Sequence, residues 1–597
     1  MSILAGGEDI DVVDPYANRI EAPSPKHMGR RTKTLDFVPS NLTNFDDSIH
    51  HSITQRRMNQ FEHNPSLLFQ DPNSHDDHLY DQFLIIGLPP QSDPEESEPS
   101  PKILFMYPSS PAIFESNEYE QLPLFCFPNG FQKYDRFKKI IYQFVFKLKE
   151  SKGSTIYGIC IQMSVNRLSH KLFFADEVSR EYPFCFCFLT RNPVLAPNMM
   201  YLSFLTLWMT HQTEPIRHKQ FAKCFNVSSS DMLVRLPNLV NTAGCLKNPN
   251  FKVPIPFMAE LAFYRSLQIN NTDIQRIRLS NNLNVFLPET NGSLNNIFYP
   301  SLSVLFSNLS LRHIIKLYSL IILEAHIVFM SRDVHVLTLS VLSAVELAAP
   351  FELNAMVMPV LPKDSSYLQL LDSPCPYIIG LVKDDVGYRI PAGVTVVDLD
   401  HDTINDPDKN PDFPFVSKFE HKLAEILKEN EPSVLVPPKV LYKGVFKKTD
   451  PYINPKYVDF IKHTENFTVP RFYIDLRPPK YVFTEKVVTE LVKAFETVLS
   501  PLAESLVWAC LVTDTTDVNN PITVFNRDLF LASCEPHTVK FFDNFLNTTV
   551  FQRFCDQKID EKEATVANTV KHHSKRKRRG EALPDFILGE MYYGESH

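Results

Sequence analysis

Two cysteines, Cys185 and Cys187, flank Phe186 in an apolar run, and alternate residues of a strand point to the same face of a sheet. Two thiolates in that arrangement could chelate a metal ion. The sequence places no second Cys pair or His pair nearby at ligand spacing, and free cysteine is among the most buried residue types. We therefore interpret both as apolar side chains of a buried strand and predict no bound metal.

Three acids, Asp398, Asp400 and Asp402, alternate as the first ligands of an EF-hand loop do. That loop also needs glycine at its sixth position and glutamate at its twelfth, where this sequence has Thr403 and Lys409. The alternation therefore indicates a strand that ends in an acidic loop, and not a calcium site.

Glu324 and Glu346 lie in apolar surroundings, where burial could raise a carboxyl pKa and create a general acid or base. No nucleophile, histidine partner or phosphate-binding loop accompanies them in the sequence. We therefore expect each of them to cap a helix or to form an ion pair.

The segment 304 to 381 must position any site, because it alternates amphipathic helix and apolar strand and contains no glycine before Gly380. Short connections between alternating helices and strands predict βαβ units and a mostly parallel sheet. A nucleotide-binding sheet would carry glycines in the turns after its strands. These turns read MSRDV and LPKDSS, so we predict no bound cofactor. The predicted strands are 326–330, 354–358, 377–381 and 394–399, and the predicted helices are 333–348 and 365–371.

Five strings of this segment resemble, in order and spacing, the central module of the DENN domain family: IILEAHIVFMS (321–331), AAPFE (348–352), MPVLP (358–362), LLDSPCPYIIGL (370–381) and VTVVDLD (394–400). Flanking strings resemble the other two modules of the tripartite uDENN/cDENN/dDENN arrangement. LPLFCFPNG (122–130) and YPFCFCFLTRNP (182–193) resemble the first, longin-like module, and residues 525–558 resemble the third, helical one.

The resemblance implies a three-module fold of α/β and α+β type: a longin-like β-meander with helices, a mostly parallel α/β module and a helical C-terminal module. The expected ranges are a flexible tail 1–78, the longin-like module 79–215, the central module 216–400, a linker region 401–482, the helical module 483–560 and a charged tail 561–597. Strands are predicted at 81–88, 103–107, 122–127, 137–149, 156–163 and 183–189, and helices at 199–209, 256–267, 419–430, 483–512 and 536–560.

The same resemblance implies a function, because characterised members of the family bind small Rab-type GTPases. The expectation is a guanine-nucleotide exchange factor in vesicle trafficking that grips the GTPase between the first two modules. Loops at the carboxyl ends of the central strands are the expected contributors. The candidate interface residues are Lys363, Asp364, Asp372, Ser373, Asp400 and, from the first module, Arg191.

Arg191 also supports a different reading. In DENN-fold relatives of folliculin type, an arginine from a loop of the longin-like module acts as an arginine finger in GTP hydrolysis. A guanidinium at that place can neutralise charge that develops on the γ-phosphate. The alternatives are therefore a GTPase-activating protein and a scaffold that only recruits a Rab, and the sequence leaves all three open.

Composition limits the partners and the compartment. The 597 residues carry 60 Lys and Arg against 69 Asp and Glu, a net charge of -9, so we expect no nucleic-acid partner. The acidic start lacks the pattern of a secretory signal, and the 10 cysteines lack framework spacing. Both indicate reduced thiols in the cytoplasm. The basic run Lys575 to Arg579 is a candidate contact with anionic endomembranes, a nuclear-localisation signal or a solvated charged end.

Overall fold

The computed structural model of the chain describes residues 78–578 with gaps, and these residues belong to one unit of the chain. The described ranges are 78–89, 99–108, 113–133, 141–149, 153–164, 181–192, parts of 194–205 and 261–265, 275–278, 284–287, 293–383, 388–429, 483, 485–514 and 522–578. The predicted tail 1–78 lies outside them apart from His78. The predicted helices 199–209 and 256–267 lie largely outside them.

An antiparallel sheet forms the first part of the described chain, in the order β2-β1-β5-β4-β3. Its strands are β1 Gln82–Gly87, β2 Lys102–Tyr107, β3 Ile141–Lys149, β4 Thr155–Ser164 and β5 Pro183–Thr190. Every residue of the central strand β5, PFCFCFLT, is buried. The three phenylalanines face one side of the sheet and the two cysteines the other, because successive side chains of a strand alternate.

The predicted strand 122–127 is wrong, because these residues end a helix, α1 Ser116–Cys126. Glu115 and Glu118 form a capping box at its start, with the Glu115 N–H donating to the Glu118 carboxylate at 2.8 Å. Leu122, Phe125 and Cys126 then follow helical spacing and are buried against the sheet. Proline is unfavourable within a helix, so Pro123 hid this pattern in the sequence.

The central sheet has the order β12-β11-β8-β10-β9. Four of its strands are parallel and only the edge strand β12 is antiparallel, so the prediction of a mostly parallel sheet is confirmed. The strands are β8 Ile327–Ser331, β9 Met356–Met358, β10 Tyr377–Val382, β11 Thr395–Asp398 and β12 Thr403–Asn405, preceded by a hairpin of β6 Gln275–Arg278 and β7 Asn284–Leu287. The associated helices are α2 Ser293–Asn308, α3 Leu311–Ile322, α4 Val334–Glu346, α5 Ser365–Leu368 and α6 Val416–Glu429.

Helices dominate the last part of the described chain: α7 Glu485–Cys510, α8 Arg527–Ser533, α9 Val539–Phe545 and α10 Thr549–Arg578. The predicted helix 483–512 ends earlier than expected, because residues 511–514 form strand β13 and pair with β14 Ile522–Phe525. Valine and threonine in both strands favour this pairing. Helix α10 continues past residue 560, the predicted end of the module. No helix in the described ranges combines the length and the apolar character required to cross a bilayer.

The two sheets meet where the outer strand β3 lies along helix α4. The Val145 N–H donates to the Thr338 hydroxyl at 3.3 Å. The His335 Nδ1 atom lies 3.0 Å from the Gln143 carbonyl oxygen, and both of these contacts are buried. Near the other end of β3, burial lowers the pKa of Lys147 and raises that of Glu346, and the attraction between the two groups opposes both shifts. Strand β3 therefore runs along α4 in the same direction, from His335 near the start of the helix to Glu346, its last residue.

Candidate functional site

The loop after β9 joins the central sheet to the first sheet's helix. The Leu361 N–H donates to the Gly380 carbonyl at 2.8 Å, and the Lys363 N–H donates to the Pro128 carbonyl at 3.0 Å. Pro128 follows the end of α1, so this second bond crosses between the two parts of the fold. A Cβ atom on Gly380 would lie 2.0 Å from the Pro359 carbonyl oxygen. The glycine that sequence reasoning noted is therefore required for close approach of the loop.

Asp364 orders the next turn by capping α5. Its carboxylate accepts hydrogen bonds from the Ser366 hydroxyl and, at 2.9 Å, from the Ser366 N–H. These bonds hold the pKa of Asp364 below its usual range. Tyr367 then packs edge to face on Phe125 with ring centroids 5.1 Å apart, and its hydroxyl donates to Gln121 at 2.8 Å. The loop that carries Lys363 and Asp364 is thus fixed on the surface of α1.

Asp400 lies at the same carboxyl edge of the central sheet, after β11. Its carboxylate accepts hydrogen bonds from the Ser331 hydroxyl and the Arg332 N–H, both at 3.0 Å. Strand β11 is separated from β9 by β8 and β10, or about 14 Å at the usual strand spacing. Lys363, Asp364 and Asp400 therefore share one edge of the sheet without touching.

Lys383 and His401 complete this edge, and sequence reasoning missed them. Both side chains bond the Asp398 carboxylate, Lys383 at 2.7 Å and His401 at 2.9 Å. Although partial burial acts to raise the pKa of Asp398, these two bonds hold it below its usual range. Lys383 comes directly after the predicted strand 377–381, which β10 matches, and this position was the signal that could have identified it. Arg332 likewise comes directly after β8.

The expected alternation of acids at the end of β11 is explained by these bonds. Asp398 binds Lys383 and His401, and Asp400 binds the turn after β8. Asp402 accepts from the Ser310 N–H at 2.8 Å and lies 2.7 Å from the His313 ring. Each carboxylate thus serves a different intramolecular partner, as expected for a strand that enters a loop.

Asp372 and Ser373 do not join the other candidates. They precede β10, in the turn that follows α5, and so lie at the amino end of that strand. The prediction that places them at the carboxyl ends is wrong, because the chain crosses the sheet between Asp364 and Asp372. Burial and the nearby Asp372 carboxylate raise the pKa of Tyr377 to about 12.

Arg191 lies at the far end of α1 from Lys363. Its backbone N–H and its guanidinium both bind the Asp81 carboxylate, at 2.7 and 2.8 Å. Next to Asp81, Gln82 accepts a hydrogen bond from Tyr119 near the start of α1. A helix of 11 residues rises about 16 Å, so the structure separates Arg191 from the loop that carries Lys363.

The two glutamates have structural partners. Glu324 accepts hydrogen bonds from the first turn of α10, which confirms the expectation of helix capping. Glu346 faces Lys147 across the contact between α4 and β3. The basic run ends α10 at Arg578, and Arg579 lies outside the described residues.

Two further cysteines lie beside the cysteine pair of β5, and the sequence did not indicate this. Cys126 from α1 and Cys160 from β4 lie beside it, and all four thiols are buried. Although burial acts to raise the pKa of Cys126, hydrogen bonds from the other three thiols hold it well below the usual range. Burial raises the pKa of Cys160, Cys185 and Cys187.

Comparison with known protein families matches two adjacent stretches of the chain, one in the first sheet and one that extends through most of the central sheet. The model of the uDENN domain matches residues 101–163, which hold β2, α1, β3 and most of β4. The model of the DENN (AEX-3) domain matches residues 181–402, from β5 to the end of β11. The chain therefore contains a uDENN domain and a DENN domain. Its DENN match begins at residue 181, upstream of the predicted module start at 216. Neither match reaches residues 483–560, so their assignment to the third, helical DENN module stays a prediction.

Relatives of this DENN-domain protein cover limited stretches. The Elicitor of plant defense protein 1 of Fusarium odoratissimum is 31% identical over 166 residues, 28% of this chain and 17% of the relative. The protein of that name in Verticillium dahliae is 31% identical over 29% of this chain and 14% of its own length. The MAP kinase-activating death domain protein of Drosophila melanogaster is 36% identical over 98 residues, 16% of this chain and 5% of its own. The chain thus spans less than a fifth of each relative.

Proposed function

We propose that this DENN-domain protein is a guanine-nucleotide exchange factor that promotes GDP release from a Rab-type small GTPase in membrane trafficking. The observation that carries the proposal is the presence of uDENN and DENN domains in one chain, packed through the loop that carries Lys363. Because the Lys363 N–H bonds the Pro128 carbonyl, a GTPase that binds at this loop would contact residues of both domains at once.

Exchange breaks no covalent bond, so the chain needs no nucleophile or general acid. A factor accelerates release by binding the nucleotide-free or distorted GTPase more tightly than the GDP-bound form. A thousandfold acceleration requires about 4 kcal/mol of such differential binding. A polar protein surface with a few well-fixed contacts can supply that difference.

The proposed contact surface is the carboxyl edge of the central sheet together with the loop after β9 that carries Lys363 and Asp364, called the junction loop below. It presents cations from Arg332, Lys363 and Lys383 and acids from Asp364 and Asp400. Charges of both signs in a fixed arrangement suit recognition of a polar partner, because complementary charges steer encounter and penalise wrong partners. The hydrogen bonds of Asp364 and Asp400 hold these two acids in place before a partner arrives. We leave Asp372 and Ser373 out of the surface because they lie at the other edge.

A GTPase-activating role for Arg191 is the second candidate. A finger must reach the γ-phosphate with its guanidinium, whereas Arg191 is paired with Asp81 and lies at the opposite end of α1 from the proposed surface. This pairing favours exchange over activation. A scaffold role would use the same surface without accelerating either reaction.

The test is a panel of purified Rab GTPases, with release of labelled GDP and hydrolysis of GTP measured in parallel. We expect the chain to accelerate GDP release from at least one Rab. The double variant Lys363→Glu with Asp364→Asn should lower that acceleration by about tenfold or more, or about 1.4 kcal/mol of contact energy. Asparagine retains the ability to cap α5, so the loop should keep its fold.

The matched control is Asp372→Lys, a charge reversal at an exposed residue of the opposite edge. It should leave GDP release unchanged. An equal loss in both variants would contradict the proposed surface, and no acceleration of release from any Rab would contradict the exchange function.

We further propose that the protein works in the cytoplasm and is recruited to endomembranes through the basic run Lys575 to Arg579. Clustered cations near an anionic bilayer surface contribute about 1 kcal/mol each. The helix α10 carries four of the five cations, since it extends to Arg578.

A further inference from the structure

Four cysteine thiols from three elements meet between α1 and the first sheet. Cys160 on β4 is paired directly opposite Cys187 on β5. Cys185 is two residues before Cys187 and so shares its face of the sheet. Cys126, the last residue of α1, covers this face from above. The four positions come from residues 126 to 187, and no sequence spacing links them.

The distances make this group different from cysteines scattered through a core. The Sγ atoms of Cys126, Cys160 and Cys187 all lie within 4.8 Å of one another. The Cys185 thiol points to the same face of the sheet and influences the pKa of Cys126, but its Sγ atom lies outside this group of three. Among the described residues, Cys126, Cys160 and Cys187 are the one group of three or more candidate metal ligands with ligand atoms this close.

We propose that Cys126, Cys160, Cys185 and Cys187 form a zinc site that ties α1 to the first sheet. Zinc prefers four thiolates in a tetrahedron at about 2.3 Å, which puts the sulfurs about 3.8 Å apart. The Sγ atoms of Cys126, Cys160 and Cys187, already within 4.8 Å of one another, need to move inward by about 1 Å at most, and the Sγ atom of Cys185 has to move further to complete the tetrahedron. Each coordinating thiol gives its proton to solvent as the metal binds.

The burial of the site assigns it a structural role. All four cysteines are fully buried, so no coordination position opens to water or substrate. Structural zinc sites are closed in this way, whereas catalytic ones keep a position for water. The ion would hold the end of α1 beside Pro128, whose carbonyl binds the junction loop through Lys363.

Two other states of the same thiols make different predictions. The facing pair Cys160 and Cys187 could form a disulfide, which would remove two titratable thiols from the denatured protein. Four reduced thiols that only fill space would bind no metal. Free cysteine is common in cores for that reason.

The test uses the full chain, purified with a mild reductant and dialysed against zinc-free buffer. We expect about one zinc per chain by elemental analysis, retained until the protein is unfolded. Replacement by Co²⁺ should give the visible absorption of a tetrahedral thiolate site. Less than about 0.2 zinc per chain after refolding with zinc, or two thiols missing from a denatured, unreduced sample, would overturn the proposal.

Variants separate the site from other cysteines. The double variant Cys160→Ser with Cys187→Ser should lose the metal, and the control Cys375→Ser, at an exposed cysteine, should retain it. If the double variant does not fold, the cobalt spectrum and the zinc content of the unmodified chain still decide. Zinc that persists in a folded double variant would also overturn the assignment.

Discussion

The carboxylate of Glu324 accepts hydrogen bonds from the hydroxyl and, at 2.9 Å, the backbone N–H of Thr549, 225 residues further along the chain. A second N–H of the same helix, from Val550, donates to it at 3.1 Å. The first N–H groups of a helix have no partner within the helix, so this side chain satisfies donors that its own segment does not contain. Glu324 thereby connects the central sheet to the last helix.

Removing this cap should loosen α10. We expect Glu324→Ala to destabilise the helical part by about 1–2 kcal/mol, the usual range for a lost N-terminal cap. The midpoint of urea unfolding measures the effect, followed by Trp508 fluorescence in a Trp208→Phe background. Trp508 lies on α7, and the Lys562 ammonium of α10 lies 6.0 Å from the centre of its ring, so its fluorescence reports on the contact between these two helices. The control is Glu352→Ala, whose side chain is 83% exposed and 3.9 Å from Arg553. It should change the midpoint little, and equal shifts would contradict the capping role.

Gly380→Ala should be severely destabilising. The new Cβ would lie 2.0 Å from a backbone oxygen, that of Pro359, which cannot move without displacing the loop after β9. We expect a loss of about 3 kcal/mol or more, or an insoluble product. Gly87→Ala is the comparison, because its Cβ would meet only the ring of Phe184 at 2.6 Å, and a ring can shift. Thermal melting that ranks the two variants in the reverse order would refute the explanation.

His335 should make stability depend on pH. Burial lowers the pKa of this imidazole, which the attraction of Asp333 and the bond to Gln143 oppose. The folded state therefore binds fewer protons than the unfolded state, and stability falls as the pH drops below about 6.5 towards the folded pKa. Melting temperatures between pH 8 and 5 should decline less for His335→Gln than for the unmodified chain. The exposed His401→Gln serves as control, and identical slopes for all three proteins would exclude His335 as the cause.

Arg191→Ala should slow GDP release less than about threefold. Its ion pair with Asp81 is partly exposed, with side chains 47% and 25% accessible, and such pairs contribute at most about 1 kcal/mol. Asp81→Asn breaks the same pair while it keeps the guanidinium. If Arg191 were a finger, its loss alone would reduce stimulated GTP hydrolysis by roughly 10³-fold or more, and Asp81→Asn would not. Parallel assays of both variants therefore distinguish an activating protein from an exchange factor.

Neutralising Lys575, Lys577 and Arg579 to alanine should reduce binding to vesicles that contain anionic lipid by more than tenfold at low salt. The expected loss is about 1 kcal/mol for each cation. Sedimentation with vesicles measures it, with neutral vesicles as the control surface. Binding that is the same for both proteins, or that does not weaken as salt is raised, would exclude this segment as the membrane contact.

The central sheet was predictable because its signals are local. Residues 326–330 and 377–381 are apolar runs between helical patterns, and the sheet places both as buried parallel strands. The strand predicted at 122–127 failed because Pro123 concealed a helix whose capping signal lies earlier, at Glu115. Local patterns therefore predicted an element correctly where all of its residues favour that type of structure, and failed where one residue, such as Pro123, is unfavourable in it.

The candidate site was less predictable because it depends on contacts between distant residues. Lys363 was found from its turn, but its bond to Pro128 joins segments more than 200 residues apart. Asp81 and Arg191 are separated by 110 positions, and nothing near Arg191 indicated that partner. The cysteine group combines α1, β4 and β5, so pairwise spacing could not reveal it. Asp372 failed for a different reason: it precedes the predicted strand 377–381, and residues just before a parallel strand lie at its amino end and not at the carboxyl edge.

The central place of β5 determines how this protein can be divided for experiments. The strand lies between β1 and β4, yet it falls inside the DENN match that starts at residue 181. A fragment cut to the uDENN match, 101–163, would contain β2 without its partner β1 and β4 without its partner β5. Such a fragment would expose the open backbone of two strands and invite aggregation. Fragments intended to fold should begin before residue 78 and continue through both matches.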